Sequence, residues 1–312
     1  MRIAIAQIAP VFLNREATLN KVASWVGDAG KAGASLVCFG EAVVPGYPIW
    51  LYRTDAARWD AADQKELHAK YVSEAVCIEE GHLVGVCQAA SKAKCAVILG
   101  IVERPKDRGG HSIYCSRVFI DANGAIGSVH RKLVPTYEER LSWSNGDGAG
   151  LVTHAVGEFT VGALNCWENW LPMARAALYA AGEDLHVMLW PGSGGLTRDL
   201  TKFVALESRS FVISASAIIR ASDIGEDVPH RESIVKSDTT FQDGGSCVAG
   251  PDGEWVVEPI TGREELIVAE LDYNRVLEER QNFDPSGHYS RPDVLKLTVD
   301  RRRQSVAEFI DS

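Results

Sequence analysis

Short apolar runs alternate along this chain with longer segments in which apolar residues recur at every third or fourth position. The short runs are typical of buried strands, and the longer segments are typical of helices that bury one face. We therefore predict strands at "RIAIAQI" (2–8), "SLVCFG" (35–40), "CAVILGIVE" (95–103), "LHVMLWP" (185–191), "FVISASAIIR" (211–220) and "ELIVAELD" (265–272).

Helices are predicted between these strands. Residues 15–33 place Leu19, Val22 and Val26 on one helix face, with Asn14 as the N-cap and Gly33 at the end. Further helices are predicted in the region up to about Lys94 and at "PMARAALYAAG" (172–182), "DLTKFVALESRS" (199–210) and "NRVLEERQN" (274–282).

Turn-forming residues between apolar runs predict three hairpins. They lie at "ANG" between "SIYCSRVFID" and "AIGSVHRK", at Gly157-Glu158 between "LVTHAV" and "FTVGALNC", and at "PDG" in "SCVAGPDGEWVVE". Strands that alternate with helices and are interrupted by hairpins indicate an α/β fold with mixed sheets.

The second half of the chain repeats the rhythm of the first, which predicts an internal pseudo-symmetry: two sheets face to face, each covered by a layer of helices outside. No linker or low-complexity segment divides residues 1–275, so we predict a single domain there. Residues 276–312 have too little apolar pattern for a core of their own and are expected to form a tail that packs on a partner subunit.

Composition excludes several classes of function. The 312 residues carry a formal net charge of −10 at pH 7, and an acidic surface disfavours nucleic acid as a partner. No apolar stretch has the length of a membrane span, and "MRIAIAQIAP" does not fit a secretory signal. The seven cysteines lack a CxxC spacing and the eight histidines lack an HExxH pattern. We therefore expect a cytoplasmic protein with no membrane partner, no cofactor and no bound metal.

Three predicted strand ends carry reactive side chains. Glu41 follows "CFG", Lys132 closes "AIGSVHRK" with Glu139 seven residues later, and Cys166 ends "FTVGALNC". A thiol needs a base to become a nucleophile, a carboxylate can supply that base, and a fixed cation can stabilise the negative charge that develops on a substrate. Cys166 should also lie near the N-terminus of the helix that includes Pro172, where a thiolate is favoured.

Each of these residues also has a simpler interpretation: Cys166 as a packed core thiol, and Glu41 and Lys132 as surface charges. A papain-like pairing of cysteine with His186, His230 or His288 lacks the surrounding pattern of that class. The glycines of "WPGSGGLTRD" do not have the spacing of a phosphate-binding loop and more readily permit close backbone approach.

At these residues the sequence resembles the nitrilase superfamily of carbon–nitrogen hydrolases, from "RIAIAQIAPVFLNREATLNKV" to "SGHYSRPDV". The resemblance places the family's Glu–Lys–Cys triad at Glu41, Lys132 and Cys166, and its second glutamate at Glu139. It implies a four-layer α-β-β-α sandwich. Gly40 stands where proline is common in the family, which would loosen the backbone at Glu41.

"CWEN" and "LSWSNGDGAG" resemble the nitrilase branch, so the expected reaction is hydrolysis of an organic nitrile through a covalent thioimidate and acyl-thioester. Alternatives are an amidase or carbamoylase, a cyanide dihydratase, and a binding protein that kept the fold. Loops 47–70 and 220–243 should shape the pocket. The candidate pocket residues are Tyr47, Thr136, Trp143, Trp167, Trp190 and Pro191.

The resemblance also implies a homodimer or a larger spiral homo-oligomer. The dimer would join through the helix after Cys166 and the helix spanning Asp199 to Ser210, both of which have Ala-rich faces.

Overall fold

The computed structural model describes residues 1–237, 239–308 and 310. Its strands are β1 (Arg2–Gln7), β2 (Leu36–Phe39), β3 (Ala96–Glu103), β4 (Tyr114–Ile120), β5 (Ile126–Arg131), β6 (His154–Val156), β7 (Phe159–Asn165), β8 (Leu185–Trp190), β9 (Phe211–Ser216), β10 (Ile218–Arg220), β11 (Thr240–Ala249), β12 (Trp255–Thr261) and β13 (Glu265–Glu270).

The α-helices are α1 (Arg15–Lys31), α2 (Trp50–Arg53), α3 (Ala62–Glu74), α4 (Val84–Ala93), α5 (Pro172–Ala180), α6 (Gly194–Ser208), α7 (Arg231–Val235) and α8 (Asn274–Arg280). Among the described residues, no helix combines the length and the apolar character that crossing a bilayer requires.

Two mixed sheets share one plan. The first has the order β13-β1-β2-β3-β4-β5, and the second has the order β10-β11-β9-β8-β7-β6 with β12 paired to β11. Each has three parallel strands at its centre, β1-β2-β3 in one and β7-β8-β9 in the other, flanked by antiparallel strands. The predicted α/β class, the mixed sheets and the repetition between the halves are confirmed.

Alternation along the strands builds the layers, because successive side chains of a strand point to opposite faces. In β1, Ala4 and Ala6 belong to a buried cluster with Val22 and Val26 of α1. Ile3 and Ile5 belong to a different cluster, which joins the first sheet to Val161 of β7 and other residues of the second sheet.

The outer face of the second sheet packs in the same way. Met188 and Trp190 of β8 cluster with Leu200 and Val204 of α6. The order of layers is therefore helices, sheet, sheet, helices, as the predicted four-layer sandwich requires.

Helix α1 shows how local sequence sets an element. The side chain of Asn14 accepts a hydrogen bond from the N–H of Ala17 at 3.0 Å, which satisfies a donor that the helix leaves free. Val22 and Val26 are fully buried against the first sheet. The helix ends at Lys31, before Gly33, whose φ of 77° suits glycine. The prediction of this helix is confirmed, with an end two residues earlier.

Three details differ from the sequence prediction. The run 211–220 is two strands, because it is interrupted at Ala217: β9 ends at Ser216 and β10 begins at Ile218, and both pair with β11 in one continuing register. Helix α6 begins at Gly194 rather than Asp199. Residues 220–243, predicted as a loop, contain the short helix α7 and the first residues of β11, and one position of that range lies outside the described residues.

Part of the C-terminal segment returns to its own chain. Arg303 bonds the Asp147 carboxylate at 3.0 Å, the N–H of Gln304 bonds the same carboxylate at 3.0 Å, and Val299 packs on the cluster that contains Leu151 and Leu164. Val294, Leu295, Val306 and Ile310 are exposed. Packing of residues 276–312 on a partner subunit stays a prediction, and some positions of that range lie outside the described residues.

Candidate active site

The ends of three strands meet at one edge of the sandwich. Strand β5 runs in the same direction as β2, since two antiparallel steps separate it from β3, which is parallel to β2. Glu41 follows β2 after one residue, Lys132 follows β5 directly, and Cys166 follows β7 in the facing sheet. The sequence prediction placed reactive groups at these three ends, and the structure brings them together.

Glu41 is held by a close approach of backbone from both sheets. Its N–H donates to the carbonyl of Trp190 at 3.0 Å. A Cβ atom at Gly40 would lie 2.6 Å from the N atom of Ala217, and a Cβ at Gly100 would lie 2.1 Å from the carbonyl oxygen of Gly40. Such distances exclude a side chain at either glycine without movement. Gly40 therefore permits tight packing beside Glu41, and the expectation of a loosened backbone is wrong.

The Lys132 ammonium lies between two carboxylates. Its Nζ is 2.9 Å from Oε1 of Glu41 and 2.7 Å from Oε2 of Glu139. One carboxylate oxygen of each glutamate and the Sγ of Cys166 all lie within 4.8 Å of one another. The side chains of Lys132 and Glu41 are completely buried. The four candidate catalytic residues thus form one compact, buried group.

Glu139 is fixed by neighbours that were predicted as pocket residues. The hydroxyl of Tyr47 donates to Oε1 of Glu139 at 2.8 Å, and the N–H of Thr136 donates to Oε2 at 2.6 Å. The Lys132 ammonium lies 5.5 Å from the ring centre of Trp143, which also meets the Tyr47 ring edge-on at 5.6 Å between ring centres. These contacts fix the Glu139 carboxylate and the Lys132 ammonium in position relative to each other.

The other predicted pocket residues differ in exposure. Trp167, next to Cys166, is 50% exposed. The Trp190 side chain is buried with its indole N–H donating to Ser214 Oγ at 3.1 Å, so Trp190 reaches the site through its carbonyl. Pro191 follows it and is half-buried.

Burial and the neighbouring charges together set the protonation of the group. Burial raises the pKa of Glu41 to about 7, although the Lys132 ammonium lowers it, and Glu139 raises it further. Burial alone would lower the pKa of Lys132, but the Glu41 carboxylate, followed by Cys166 and Glu139, holds that pKa well above its usual value. Lys132 is therefore a permanent cation, while Glu41 can gain and lose a proton near neutral pH.

Cys166 rests as a neutral thiol. Burial raises its pKa well above the ordinary value, Glu41 and Glu139 add to the rise, and Lys132 opposes it. The sequence analysis expected a helix N-terminus to favour the thiolate, but Cys166 instead opens a separate 3₁₀ turn, Cys166–Trp170, ahead of α5. The turn is too short to outweigh burial, so a neighbouring base must accept the thiol proton.

The backbone of Cys166 is strained, with a φ of 46° in the left-handed region that favours glycine. Glu168 supports one side of this turn. Its carboxylate accepts hydrogen bonds from the N–H of Asn165 at 2.9 Å, the N–H of Leu133 at 2.6 Å and Nε2 of His130 at 3.0 Å. Burial alone would raise the pKa of Glu168, but His130 and these N–H groups outweigh it and lower the pKa. Glu168 thereby ties the Cys166 turn to the Lys132 strand end.

Asn169 supports the other side of the turn. Its Nδ2 donates to the carbonyl of Cys166 at 2.8 Å, and its Oδ1 lies 2.8 Å from Nε2 of His186. Nδ1 of His186 lies 2.8 Å from Oε1 of Glu183. Because Asn169 donates through Nδ2, its Oδ1 accepts, so Nε2 of His186 is the donor in that contact. Cys166, Asn169, His186 and Glu183 therefore form one buried chain of hydrogen bonds.

Sequence reasoning missed these supporting residues. Glu168 and Asn169 lie in the quoted motif "CWEN", which was a usable signal, but His130 and His186 are single histidines within apolar strands. His186 was weighed only as a papain-like partner. His230 instead pairs with Glu66 at 2.9 Å on the surface, and His288 meets the ring of Tyr289.

The spacing of side chains here would allow a metal ion to bind, since Glu41, Glu139 and Cys166 offer three potential ligand atoms. The Lys132 ammonium, however, already lies between the two carboxylates. An ion bound there would have to displace or repel that charge. The carboxylates are therefore already paired with the Lys132 ammonium, which makes them poorly suited to a metal ion.

Comparison with known proteins identifies the family of the chain. The family model for carbon–nitrogen hydrolases matches residues 2–281. The chain is 33% identical over 326 residues to an aliphatic nitrilase of Rhodococcus rhodochrous, covering 99% of this chain and 82% of that protein. It is 34% identical over 310 residues to nitrilase 2 of an unknown prokaryotic organism, covering 99% and 95%. An arylacetonitrilase of Aspergillus niger is 32% identical over 322 residues, covering 98% and 90%.

Solved structures agree with the fold. A carbon–nitrogen hydrolase from Helicobacter pylori G27 superposes with a TM-score of 0.70 at 20% identity, covering 94% of this chain and 96% of that one. An amidase from Nesterenkonia sp. superposes with a TM-score of 0.62 at 19% identity, covering 90% and 94%. Since the family model covers nearly all of the sandwich and full-length relatives exceed 30% identity, this chain belongs to the carbon–nitrogen hydrolase family.

Proposed function

We propose that this protein is a nitrilase that hydrolyses an organic nitrile to the carboxylic acid and ammonia through covalent intermediates on Cys166. The observation that carries the proposal is the buried group itself, which combines one thiol, one permanent cation and two carboxylates. The Lys132 ammonium contacts both carboxylates, and the Cys166 sulfur lies within 4.8 Å of an oxygen of each. Relatives named as nitrilases over the full length of the chain support the choice of nitrile.

The first half of the reaction forms a thioimidate. Glu41 accepts the proton of Cys166 as the sulfur attacks the nitrile carbon, and the proton then passes to the nitrile nitrogen. Negative charge develops on that nitrogen, and the Lys132 ammonium stabilises it without prior reorganisation because the two carboxylates already fix its position.

The second half consumes two waters. Glu41 removes a proton from the first water as it adds to the thioimidate, and ammonia leaves from the tetrahedral intermediate after proton transfer. The acyl-thioester that remains is hydrolysed by a second water, which Glu41 activates in the same way. The acid leaves and Cys166 regains its proton, so the pKa of Glu41 near neutrality suits a group that repeatedly accepts and returns a proton.

The test measures ammonia and carboxylic acid released from a panel of aliphatic, aromatic and arylacetonitriles. We expect Cys166→Ala to lose about four orders of magnitude or more of turnover, because the nucleophile is gone. The matched control is Cys87→Ala, which removes a half-buried thiol on α4 and should retain activity. Turnover by Cys166→Ala at the rate of the control would refute the covalent mechanism.

Matched amides of the same acids serve as the second arm. The amidases and carbamoylases share the acyl-thioester half of the chemistry, so the residues alone do not separate them from nitrilases. Release of ammonia from amides without any release from nitriles would assign an amidase. Turnover of cyanide alone would assign a cyanide dihydratase, and no turnover of any compound would leave a binding protein.

We also propose a homodimer formed through α5 and α6. The two helices lie side by side, since Arg175 bonds Glu207 through two contacts of 2.7 and 2.9 Å. Their outer surface exposes Met173 and Phe203, which are 63% and 54% exposed and would be covered by a second copy. Assembly into larger spirals stays a prediction.

A cytoplasmic location is proposed from the thiols. All seven cysteines lie in the described part of the chain, and all are free. Thiols persist in reducing compartments, whereas exported proteins tend to pair them.

A further inference from the structure

The two oxygens of the Glu41 carboxylate have different surroundings. Oε1 accepts from Nζ of Lys132 at 2.9 Å and from the Sγ of Cys115 at 3.3 Å. Oε2 is buried and has no hydrogen-bond partner among the residues that the structure describes. A buried carboxylate oxygen without a partner is costly, which marks it as the atom available for chemistry.

Cys115 is held in place by strand pairing. It belongs to β4, next to Ser116, which lies opposite Arg131 of β5. The carbonyl of Cys115 accepts the N–H of Lys132 at 2.8 Å, while its side chain reaches Glu41. One residue therefore contacts both the candidate base and the candidate cation, through its thiol and its carbonyl. Cys115 is fully buried, so its contact with Glu41 is shielded from water.

We propose that Cys115 is a positioning residue for the base: its thiol and Lys132 saturate Oε1 of Glu41 and thereby assign Oε2 as the oxygen that exchanges protons with Cys166 and with water. This inference rests on the proposed function, since it names which atom of Glu41 performs the proton transfers. It gives a role in the reaction to Cys115, which is not a member of the Glu–Lys–Cys triad.

The arrangement keeps working through the whole cycle. When a proton arrives on Oε2, Oε1 remains a carbonyl-type acceptor and keeps both of its hydrogen bonds. When the proton leaves, the same two donors stabilise the carboxylate. Burial and the Glu41 carboxylate both raise the pKa of Cys115, so its sulfur keeps its proton and remains a donor.

Several groups act on Glu41 together. It is surrounded by Lys132, Glu139, Cys115 and Cys166. Its charge also acts on the hydroxyls of Tyr47 and Tyr71. Within this set the hydrogen bond from Cys115 lowers the pKa of Glu41, after the larger effects of burial, Lys132 and Glu139. Removing the thiol should therefore raise the pKa of the base, while serine should restore a donor.

The experiment compares the pH profiles of kcat/KM for wild type, Cys115→Val and Cys115→Ser. We expect Val, which fills similar space without a donor, to move the acid limb up by about 0.5 to 1 unit and to lower kcat/KM below the limb by about three- to tenfold. Ser should return the limb toward wild type. Cys247→Ala, which removes another buried thiol on β11, is the control and should leave the profile unchanged.

A second readout does not need the natural substrate. The rate at which iodoacetamide alkylates Cys166, followed by mass spectrometry of its peptide, should show the same upward shift with pH in Cys115→Val and its reversal in Cys115→Ser. If Val and Ser both keep the wild-type profile in these assays, the inference is overturned. It is also overturned if Ser shifts as far as Val, which would mark a packing role. Absence of turnover in wild type would contradict the proposed function, and the alkylation assay would still decide the role of Cys115.

Discussion

At the scale of the residue, the site depends on a lysine that is unable to lose its charge and a glutamate that changes charge easily. Both are fully buried, and burial disfavours the charged form of each, so it raises the pKa of Glu41 and by itself would lower the pKa of Lys132. Two carboxylates flank Lys132 and keep it protonated, whereas burial raises the pKa of Glu41 to about 7, because Glu41 has only the one cation, which it shares with Glu139, to oppose that rise. The difference between the two comes from their neighbours rather than from depth.

Glu139→Gln tests this account. Glu139 raises the pKa of Glu41, so its neutral isostere should lower that pKa and move the acid limb of kcat/KM to lower pH, opposite to the shift expected for Cys115→Val. We also expect kcat to fall about tenfold or more, because Lys132 loses a charged partner at 2.7 Å. Measured pH profiles check both effects. Glu138→Gln, on the same turn, is the control, and an upward shift in Glu139→Gln would contradict the assignment.

Sequence alone indicated the four candidate catalytic residues because each follows a strand end or the turn after it, and because the motifs around them are specific. Cys115 could not be found in this way. It lies inside the apolar run "SIYCSRVFID", where a cysteine is typical of core packing. Its partner Glu41 is 74 residues away and follows β2, which is not adjacent to β4, so only the folded sheet brings them together.

At the scale of the element, the turn Cys166–Trp170 presents the candidate nucleophile in a strained backbone conformation. Two buried histidines stabilise this turn through residues that they contact. His130 holds Glu168, and His186 holds Asn169. Each of the supported residues bonds backbone on or next to Cys166. The motif "CWEN" therefore has a structural meaning: its last two residues stabilise the conformation of its first.

Asn169→Ala should weaken this element. It removes the hydrogen bond to the Cys166 carbonyl and leaves Nε2 of His186 buried without its partner, so we expect a loss of about 2 kcal/mol in the free energy of unfolding. A misplaced nucleophile should also lower kcat by about ten- to a hundredfold. Urea unfolding and steady-state kinetics measure the two effects. Asn20→Ala, on the surface side of α1, should change neither, and an Asn169→Ala enzyme with wild-type kcat would contradict the supporting role.

Elements with strong patterns were predicted well, and elements set by tertiary contacts were not. The strands of the two parallel centres are apolar on both faces because layers cover both, and such runs are conspicuous in sequence. The break at Ala217 gives no comparable signal. Its N–H donates to the Trp190 carbonyl at 3.3 Å, a contact with another strand that local sequence does not encode.

At the scale of the whole molecule, the alternation of strand and helix patterns and their repetition in the two halves of the chain were enough to predict two sheets covered by helices. They were not enough to predict the strand order, in which β13 joins β1 across nearly the whole chain. They also did not predict that Arg303 and Gln304 would bond Asp147, in the loop behind Lys132. Long-range pairings of this kind depend on geometry that no local pattern records.

The proposed dimer is tested at this scale. The double variant Met173→Glu with Phe203→Glu places charges on the exposed apolar surface of α5 and α6, so it should convert a dimer into a monomer. Light scattering coupled to size-exclusion chromatography measures the mass. Val84→Glu changes another exposed apolar residue, on α4, and should leave the dimer intact. A wild-type protein that runs as a monomer would refute the interface.

The excess of carboxylate over ammonium in the buried group also bears on how a reaction cycle ends. A nitrile arrives uncharged, so Glu41 and Glu139 do not oppose its entry, whereas the acid that hydrolysis produces is an anion at neutral pH. Once Glu41 has given up its proton, two carboxylates at 2.9 and 2.7 Å flank the single charge of Lys132, so the group as a whole is negative when the product anion has formed. In a buried site such repulsion is strong. Hydrolysis thus converts a neutral substrate that the site accepts into an anionic product that the site repels. The negative charge of the buried group therefore favours product release.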